Sequence, residues 1–251
     1  MSSPDIQIFP SDPALAEHAV ALILSAASEA VAARGRFTIA LTGGSSPVKA
    51  YERLAHLPTG YVDWAKWIVF LGDERFVPAD DPRSNYGQAR RTLLAHVPIS
   101  PGQIFPILTD TATPEEAAVQ YAETVANIFQ QSSDGPPPAF DMILLGLGDD
   151  GHTASLFPNY SSLSVTDRWV IASPPGTLPP PVDRVTFTFP LINAARQVVF
   201  LVSGEKKAVP VRDILEGGAQ PEQRPAAAVK PTTGTLTWLL DKAAAALLTG
   251  K

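Results

Sequence analysis

The sequence predicts an α/β fold with a mainly parallel sheet covered by helices on both faces. Three short runs are almost continuously apolar, as strands buried on both sides are: Phe37 to Leu41, Trp67 to Leu71 and Met142 to Leu145. Each run ends in glycine and polar residues, and a helical pattern follows the first two. Because ligands bind beyond the carboxyl ends of the strands in such sheets, we expect the three following loops to meet in one place.

Caps, breakers and periodicity place the remaining elements in order. A first helix begins at the Ser11-Asp12-Pro13 cap and ends at Arg34-Gly35, where glycine suits a C-terminal cap. Further helices are predicted over residues 48–56, about 85–96, about 113–131 and about 203–215, with a helical turn over 191–195. Further strands are predicted over 169–172, 184–189 and 198–202, and the Ala- and Leu-rich run from Leu236 to Leu248 predicts a closing amphipathic helix.

Composition favours one soluble globular domain over residues 1–251. The chain is 45% hydrophobic and 18% charged, which gives enough apolar surface for a large core and too few charges for a disordered protein. A single α/β domain of this length is common. The 25 prolines lie mainly in connections, and no repeat of fixed period is found.

Charge and cysteine content exclude several classes of function. With 19 Lys and Arg against 25 Asp and Glu, the net charge of −6 disfavours nucleic acid as a partner. The lack of cysteine excludes disulfides, thiolate metal sites and a cysteine nucleophile. The first residues lack the basic and apolar segments of a secretory signal, and the longest apolar stretch, Ala19 to Ala27, is well short of the ~20 residues of a membrane span. We therefore expect a cytoplasmic protein without a membrane partner.

Two of the loops carry groups that bind phosphate. The first, Thr42-Gly43-Gly44-Ser45-Ser46-Pro47, joins a strand to a helix, and its glycines allow backbone N–H groups to approach an anion closely. It matches neither a P-loop nor a dinucleotide fingerprint, and the alternative is an ordinary tight turn. The second, Gly72-Asp73-Glu74-Arg75, offers a guanidinium fork beside carboxylates. For the tripeptide Asp73-Glu74-Arg75 alone, an exposed ion pair would be the simpler interpretation.

The third loop supplies the candidate base. It runs from Gly146 to Pro158 and places His152 after two aspartates, where imidazole can take a proton from water while a carboxylate sets its tautomer. The other three histidines, His18, His56 and His96, fall inside or near the ends of predicted helices, as surface or capping histidines do. Asp150 with His152 is only a weak signal for a divalent metal ion, which stays an open alternative.

The fourth loop, Ser203-Gly204-Glu205-Lys206-Lys207, again lies between a strand and a helix and offers an ammonium group. A surface lysine pair would be the preferred interpretation of this segment alone. Four such loops at strand ends, however, favour one anion site over four unrelated surface features.

The motifs together resemble the 6-phosphogluconolactonase family of the oxidative pentose phosphate pathway. The matching segments are Leu41-Thr42-Gly43-Gly44-Ser45, Phe70 to Pro78 with Ser84-Asn85-Tyr86-Gly87, Leu145 to Pro158, Arg184-Val185-Thr186-Phe187, Ser203 to Ala208 and Pro231-Thr232-Thr233-Gly234. Asp150-Gly151-His152-Thr153-Ala154-Ser155-Leu156-Phe157-Pro158 is the most specific of them. The resemblance implies a single three-layer, Rossmann-like α/β/α domain, which is shared with glucosamine-6-phosphate deaminase.

The resemblance also implies a reaction and a set of roles. The reaction is hydrolysis of 6-phospho-D-glucono-1,5-lactone to 6-phosphogluconate, for which no nucleotide and no organic cofactor is expected. His152 would take the proton of the attacking water, Asp150 or Asp73 would orient it, and N–H groups near Gly43 and Gly44 or a nearby cation would stabilise the oxyanion. The 6-phosphate would be held by side chains of four residues, with Arg184 as a weaker addition: Thr42, Ser45, Arg75 and Lys207.

Two alternatives are less well supported. Glucosamine-6-phosphate deaminase carries a ring-opening glutamate just before the proline that follows its Asp-Gly-His segment, whereas Phe157 stands there in this chain, and Arg75 follows the lactonase pattern. A non-catalytic sugar-phosphate sensor would be expected to carry a basic DNA-binding segment, which this acidic chain lacks. We expect a small phosphorylated lactone as the partner, and a monomer or small homo-oligomer.

Overall fold

The computed structural model describes residues 3–177 and 179–250; Met1 and Ser2, part of the segment expected to lack a signal, lie outside the described residues. Its strands are β1 (Asp5–Phe9), β2 (Phe37–Leu41), β3 (Trp67–Leu71), β4 (Asp73–Arg75), β5 (Ile104–Phe105), β6 (Met142–Leu145), β7 (Val170–Ser173), β8 (Arg184–Phe187), β9 (Gln197–Val202) and β10 (Thr235–Asp241). Its α-helices are α1 (Asp12–Arg34), α2 (Val48–Ala55), α3 (Asn85–Ala89), α4 (Pro114–Phe129), α5 (Phe189–Asn193) and α6 (Ala208–Leu215).

Seven parallel strands form the central sheet, in the order β1-β10-β9-β6-β2-β3-β5. Every residue of β2 and β6 is buried, as expected for strands covered on both faces. The mainly parallel sheet flanked by helices confirms the predicted fold class. Four adjacent strands, β9, β6, β2 and β3, are the ones that the four predicted loops follow, so all four loops leave the same edge of the sheet.

The first helix, α1, shows how local sequence and packing agree. Gly35 closes it in the left-handed conformation (φ 73°) and donates its N–H to the carbonyl of Val31. The helix is long and apolar enough to cross a membrane by length and composition. It buries one face, which includes Leu15, Ile23 and Ala30, and packs against α2, β2 and β10. These contacts are those of a core helix.

A second, antiparallel sheet of three strands, in the order β4-β8-β7, was not predicted as a separate layer. Its first strand is the Asp73–Arg75 segment, which pairs with β8 so that Arg75 lies opposite Arg184. The helix α4 packs against β7 and β8. The second predicted loop is therefore held by strand pairing, and its side chains have fixed directions.

The predicted closing helix over Leu236 to Leu248 is wrong. Residues 235–241 form β10, which lies between β1 and β9, and turns follow it. The Trp238 ring stacks on Phe200 of β9 with centroids 3.9 Å apart, and its burial outweighs the helix propensity of the neighbouring leucines. The short strands β1 and β5 were also missed, because five and two residues carry little periodic signal.

Candidate active site

A pocket of about 330 Å³ lies at the carboxyl edge of the central sheet and is lined by all four loops. Nine of the ten predicted site residues line it, and the tenth, Asp150, contacts one of them, His152. The nine are Thr42, Gly43, Gly44, Ser45, Asp73, Arg75, His152, Arg184 and Lys207. The four loops therefore meet at one pocket, as the parallel-sheet rule predicts.

His152 is oriented by Asp150. Its Nδ1 lies 2.6 Å from Asp150 Oδ1, and its backbone N–H donates to the same oxygen at 3.0 Å. The second aspartate considered for this role, Asp73, has other partners: its carboxylate accepts from Ser155 Oγ at 2.7 Å and from Asn85 Nδ2 at 3.2 Å. Because Nδ1 is engaged, Nε2 is the ring nitrogen that can accept a proton from water.

The electrostatics of this pair favour an ionised carboxylate. Burial acts to raise the pKa of Asp150, but the hydrogen bond and charge of His152 and the backbone N–H bonds outweigh it, so the pKa lies below its usual value. Asp150 Oδ2 is buried without a protein partner in the described part of the chain. The carboxylate is therefore available to hold the Nδ1 proton and to stabilise a protonated ring.

The turn that carries the pair depends on glycine. Gly151 donates its N–H to the carbonyl of Gly148 at 3.0 Å and has a φ of 83°, a conformation that favours glycine. A Cβ at Gly148 would overlap His152 Nδ1 and lie 2.6 Å from Asp150 Oδ1. Gly148 thus leaves the space in which the imidazole meets its carboxylate.

Arg224, which was not predicted as a site residue, holds this turn from outside the pocket. Arg224 donates from Nη1 to the carbonyl of Asp150 at 3.0 Å and from Nη2 to Asp213 Oδ2 at 2.8 Å. Next to it, the N–H of Ala226 donates to the carbonyl of Gly151 at 3.0 Å. No local signal in the sequence could have found Arg224, because 74 positions separate it from Asp150.

Two guanidinium groups face each other beside the pocket. Arg75 and Arg184 are paired residues of β4 and β8. Arg184 is buried and donates to the carbonyls of Val182 and Pro180; burial and the charge of Arg75 lower its pKa. Arg75 Nη1 donates to the Arg83 carbonyl at 2.6 Å, while its Nε is buried without a protein partner in the described residues. Like charges on paired strands repel, and an anion between them would relieve the repulsion.

Glu74 and Asn85, also missed as site residues, build the wall next to these arginines. The Glu74 carboxylate is buried, which raises its pKa, and it accepts from the backbone N–H groups of Arg75, Asn85 and Tyr86 and from Ser84 Oγ. It therefore ties the start of α3 to β4. Asn85 in turn donates to Asp73, and its buried Oδ1 has no protein partner in the described residues and lies where a Cβ of Gly43 would be. Only glycine fits at position 43 against this amide.

The first loop presents backbone donors to the pocket. Gly44 has a φ of 96°, and the N–H groups of Gly43, Gly44 and Ser45 donate to no protein acceptor within residues 3–177 and 179–250. Thr42 is anchored by the Tyr51 hydroxyl, which accepts from its N–H at 3.0 Å and donates to its carbonyl at 2.9 Å. The buried Ser46, which was not singled out, shares a hydrogen bond with Ser203 at 3.1 Å and joins the first and fourth loops.

Lys207 closes the ring of loops from the fourth strand end. Its Nζ lies 2.5 Å from Asp149 Oδ1, so the third and fourth loops are linked by an ion pair. Within the described residues, no group of three or more His, Asp or Glu side chains could hold a metal ion. The site as a whole combines a paired imidazole, three cations and free backbone donors, which suits proton transfer on a phosphorylated substrate.

Comparison with known proteins shows which family this chain is similar to. The family model described as glucosamine-6-phosphate isomerases/6-phosphogluconolactonase matches residues 10–238. A 6-phosphogluconolactonase of Synechocystis sp. is 43% identical over 242 residues, which are 96% of this chain and 97% of the relative. The chain belongs to this family.

Other members agree with the assignment. A human 6-phosphogluconolactonase is 40% identical over 97% of this chain and 93% of its own length. The solved structure of a Trypanosoma brucei 6-phosphogluconolactonase superposes with a TM-score of 0.86 at 32% identity, covering 99% of this chain and all of that one. A monomeric glucosamine-6-phosphate deaminase, with a TM-score of 0.81 at 21% identity, shares the fold. The family resemblance stated from the motifs is confirmed.

Proposed function

We propose that the protein hydrolyses 6-phospho-D-glucono-1,5-lactone to 6-phospho-D-gluconate, the second step of the oxidative pentose phosphate pathway. The relatives that carry the name 6-phosphogluconolactonase match nearly the whole chain. The observation that carries the proposal is that the His152–Asp150 pair opens into the same pocket as the opposed Arg75 and Arg184. The same pocket can therefore hold a phosphate and activate water.

The phosphate binds where three cationic side chains line the pocket. Arg75 and Arg184 provide two guanidinium groups, and Lys207 adds an ammonium group from the fourth loop. A phosphate monoester is mostly a dianion at neutral pH, since its second pKa is about 6, so it compensates two of these charges. Thr42 and Ser45 line the same pocket and can add hydroxyl donors. Binding through the phosphate fixes the distance between the lactone carbonyl and the base.

The chemistry needs a base, an oxyanion site and a proton donor for the leaving oxygen. Water attacks the C1 carbonyl while His152 Nε2 takes its proton, and Asp150 stabilises the imidazolium. The N–H groups of Gly43 and Gly44, which donate to no protein acceptor in residues 3–177 and 179–250 and belong to residues that line the pocket, stabilise the oxyanion. The C1–O5 bond then breaks, and the imidazolium returns its proton to O5. The product is a carboxylic acid with a free C5 hydroxyl, and it releases a proton to solvent to become the carboxylate.

These steps use water, side chains and backbone N–H groups alone. We therefore propose that the reaction requires no organic cofactor and no metal ion, which predicts that prolonged dialysis against a chelator leaves the turnover rate unchanged. We propose further that the protein is a cytoplasmic monomer or small homo-oligomer that acts on a small molecule, without nucleic acid or membrane partners. The net charge of −6 supports the proposal that nucleic acid is not a partner.

The deaminase alternative lacks its characteristic carboxylate. At the position before Pro158, where the resemblance places a ring-opening glutamate in deaminases, this chain has Phe157. The Phe157 ring is buried and lies 4.8 Å from the His152 ring, centroid to centroid, so it makes the wall beside the base apolar. An apolar wall suits lactone hydrolysis and offers no second acid for ring opening.

One experiment separates the two reactions. Freshly generated 6-phosphogluconolactone and glucosamine-6-phosphate are given to the enzyme separately, and lactone loss above the spontaneous rate and ammonia release are measured. We expect accelerated lactone loss and no ammonia. Ammonia release without faster lactone loss would reject the proposal, and tight sugar-phosphate binding without either reaction would favour a sensor.

A further inference from the structure

Lys207, one of the three cations available to the phosphate, already has an anionic partner in the protein. Its Nζ donates to Asp149 Oδ1, and Asp149 lines the pocket without contacting His152 or Asp150 through any described hydrogen bond. We propose that Asp149 competes with the phosphate for Lys207, and thereby weakens substrate and product binding together and speeds product release. This inference rests on the proposed function and assigns Asp149 as an affinity-determining residue within it.

The backbone on both sides fixes this contact. Asp149 is a central residue of the turn that the Gly151 N–H closes on the Gly148 carbonyl. Lys207 ends a 3₁₀ turn, Glu205–Lys207, in which its N–H donates to the Gly204 carbonyl at 3.0 Å. The two side chains therefore meet across the pocket rim without rearrangement of either loop.

The partial exposure of the pair lets a ligand displace it. The side chain of Asp149 is 41% exposed and that of Lys207 is 21% exposed. An ion pair in such surroundings is weak, and a phosphate dianion brings more charge to the ammonium than a single carboxylate does. The phosphate thus takes Lys207, but its affinity is lowered by the cost of separating Lys207 from Asp149.

The effect on turnover follows from what the phosphate does in the reaction. The 6-phosphate is remote from the reacting carbonyl and is held in substrate, transition state and product alike. Interactions of this uniform kind set KM and product affinity and leave the chemical barrier unchanged. Asp149 therefore raises KM and the product dissociation constant by the same factor, which keeps the anionic product from occupying the site.

The test is a phosphate titration of purified full-length variants by calorimetry, with inorganic phosphate as the probe. Asp149→Asn keeps the side-chain size and removes the charge; we expect it to bind phosphate about two- to fivefold more tightly than the wild type, the range that an exposed ion pair can supply. The matched control is Asp167→Asn, at a carboxylate that is 80% exposed and lies outside the pocket lining. It removes the same charge and should leave phosphate affinity unchanged.

A double-mutant cycle with Lys207→Met shows whether Asp149 acts through Lys207. Competition predicts that Asp149→Asn gains affinity in the wild-type background and gains nothing in the Lys207→Met background. An equal gain in both backgrounds would overturn the proposal in favour of direct repulsion, and a loss in Asp149→Asn would show that Asp149 positions Lys207 instead. Absence of phosphate binding in every variant would also overturn it. Lactone hydrolysis by the wild type is measured separately, so failure of the proposed reaction is distinguishable from failure of this inference.

Discussion

The imidazole of His152 and the carboxylate of Asp150 form a hydrogen-bonded pair, with Nδ1 and Oδ1 2.6 Å apart, although only one residue separates them in the chain. The backbone that holds the two side chains together is bent by two hydrogen bonds, from the Gly151 N–H to the Gly148 carbonyl at 3.0 Å and from the Gly148 N–H to the His152 carbonyl at 2.8 Å. The orientation of the base is therefore encoded within five residues, and strand β6 only has to deliver this turn to the pocket.

His152→Ala should remove the base and leave the three pocket cations Arg75, Arg184 and Lys207 in place. We expect kcat to fall by about 10²- to 10⁴-fold, the usual contribution of a positioned general base. The dissociation constant of 6-phosphogluconate, measured by calorimetry, should change little. Undiminished turnover in this variant would exclude His152 from the reaction.

Asp150→Asn should change the pH dependence of stability. The pKa of Asp150 is depressed in the folded protein, so its carboxylate contributes stability at neutral pH, and this contribution is lost as the pH falls through the folded-state pKa. The wild type should therefore have the higher Tm at about pH 7, and the difference should shrink towards about pH 3. Thermal unfolding at several pH values measures it; a difference that grows in acid would contradict the assignment.

Arg75→Ala should act on binding. The loss of a charged hydrogen-bond donor costs about 1.5–3 kcal/mol, so KM for 6-phosphogluconolactone should rise roughly ten- to hundredfold while kcat changes less. Unphosphorylated D-glucono-1,5-lactone is the control substrate, and its kcat/KM should be little affected. A loss confined to kcat would show that Arg75 serves the chemical step instead.

Gly148→Ala should separate the base from its carboxylate without unfolding the protein. A Cβ there would overlap the His152 ring, so the ring must move, and a displacement of about 1 Å can cost 10²-fold in rate. Gly146→Ala is the matched control in the same loop, because its nearest neighbours would be at an ordinary 3.9 Å. Kinetics and far-UV circular dichroism of both variants are compared; equal losses would mean that the loop tolerates no Cβ anywhere.

The sequence alone was sufficient to predict an element where its local pattern is compatible with a single type of secondary structure. Continuous apolar runs predicted β2, β3 and β6, and the parallel-sheet rule then brought Thr42, Arg75 and His152 to one edge. The sequence was insufficient where the pattern is compatible with both a helix and a strand. The run from Leu236 to Leu240 is as apolar as a helix face, and only the space between β1 and β9 makes it a strand.

Long-range contacts were the other limit. Glu74 was interpreted as part of a charged loop, yet it is 2% exposed because four donors from Arg75 and the start of α3 surround its carboxylate. The pairing of Arg75 with Arg184 depends on a second sheet whose three-residue strand β4 has too few residues to show a period. Such partners are defined by tertiary structure, and a single sequence does not display them.

Arg224 should act as a positioning residue for the base. It holds the Asp150 carbonyl and is itself held by Asp213. Arg224→Ala should free the outside of the turn and lower kcat by roughly tenfold, because a loosened base spends less time in line with its water. Arg212→Ala is the matched control: Arg212 also pairs with Asp213, at 2.7 Å, but makes no described hydrogen bond to the turn. If kcat falls equally in both variants, the effect comes from Asp213 and α6. If kcat falls only in Arg224→Ala and KM is unchanged, the contact between Arg224 and Asp150 orients the base.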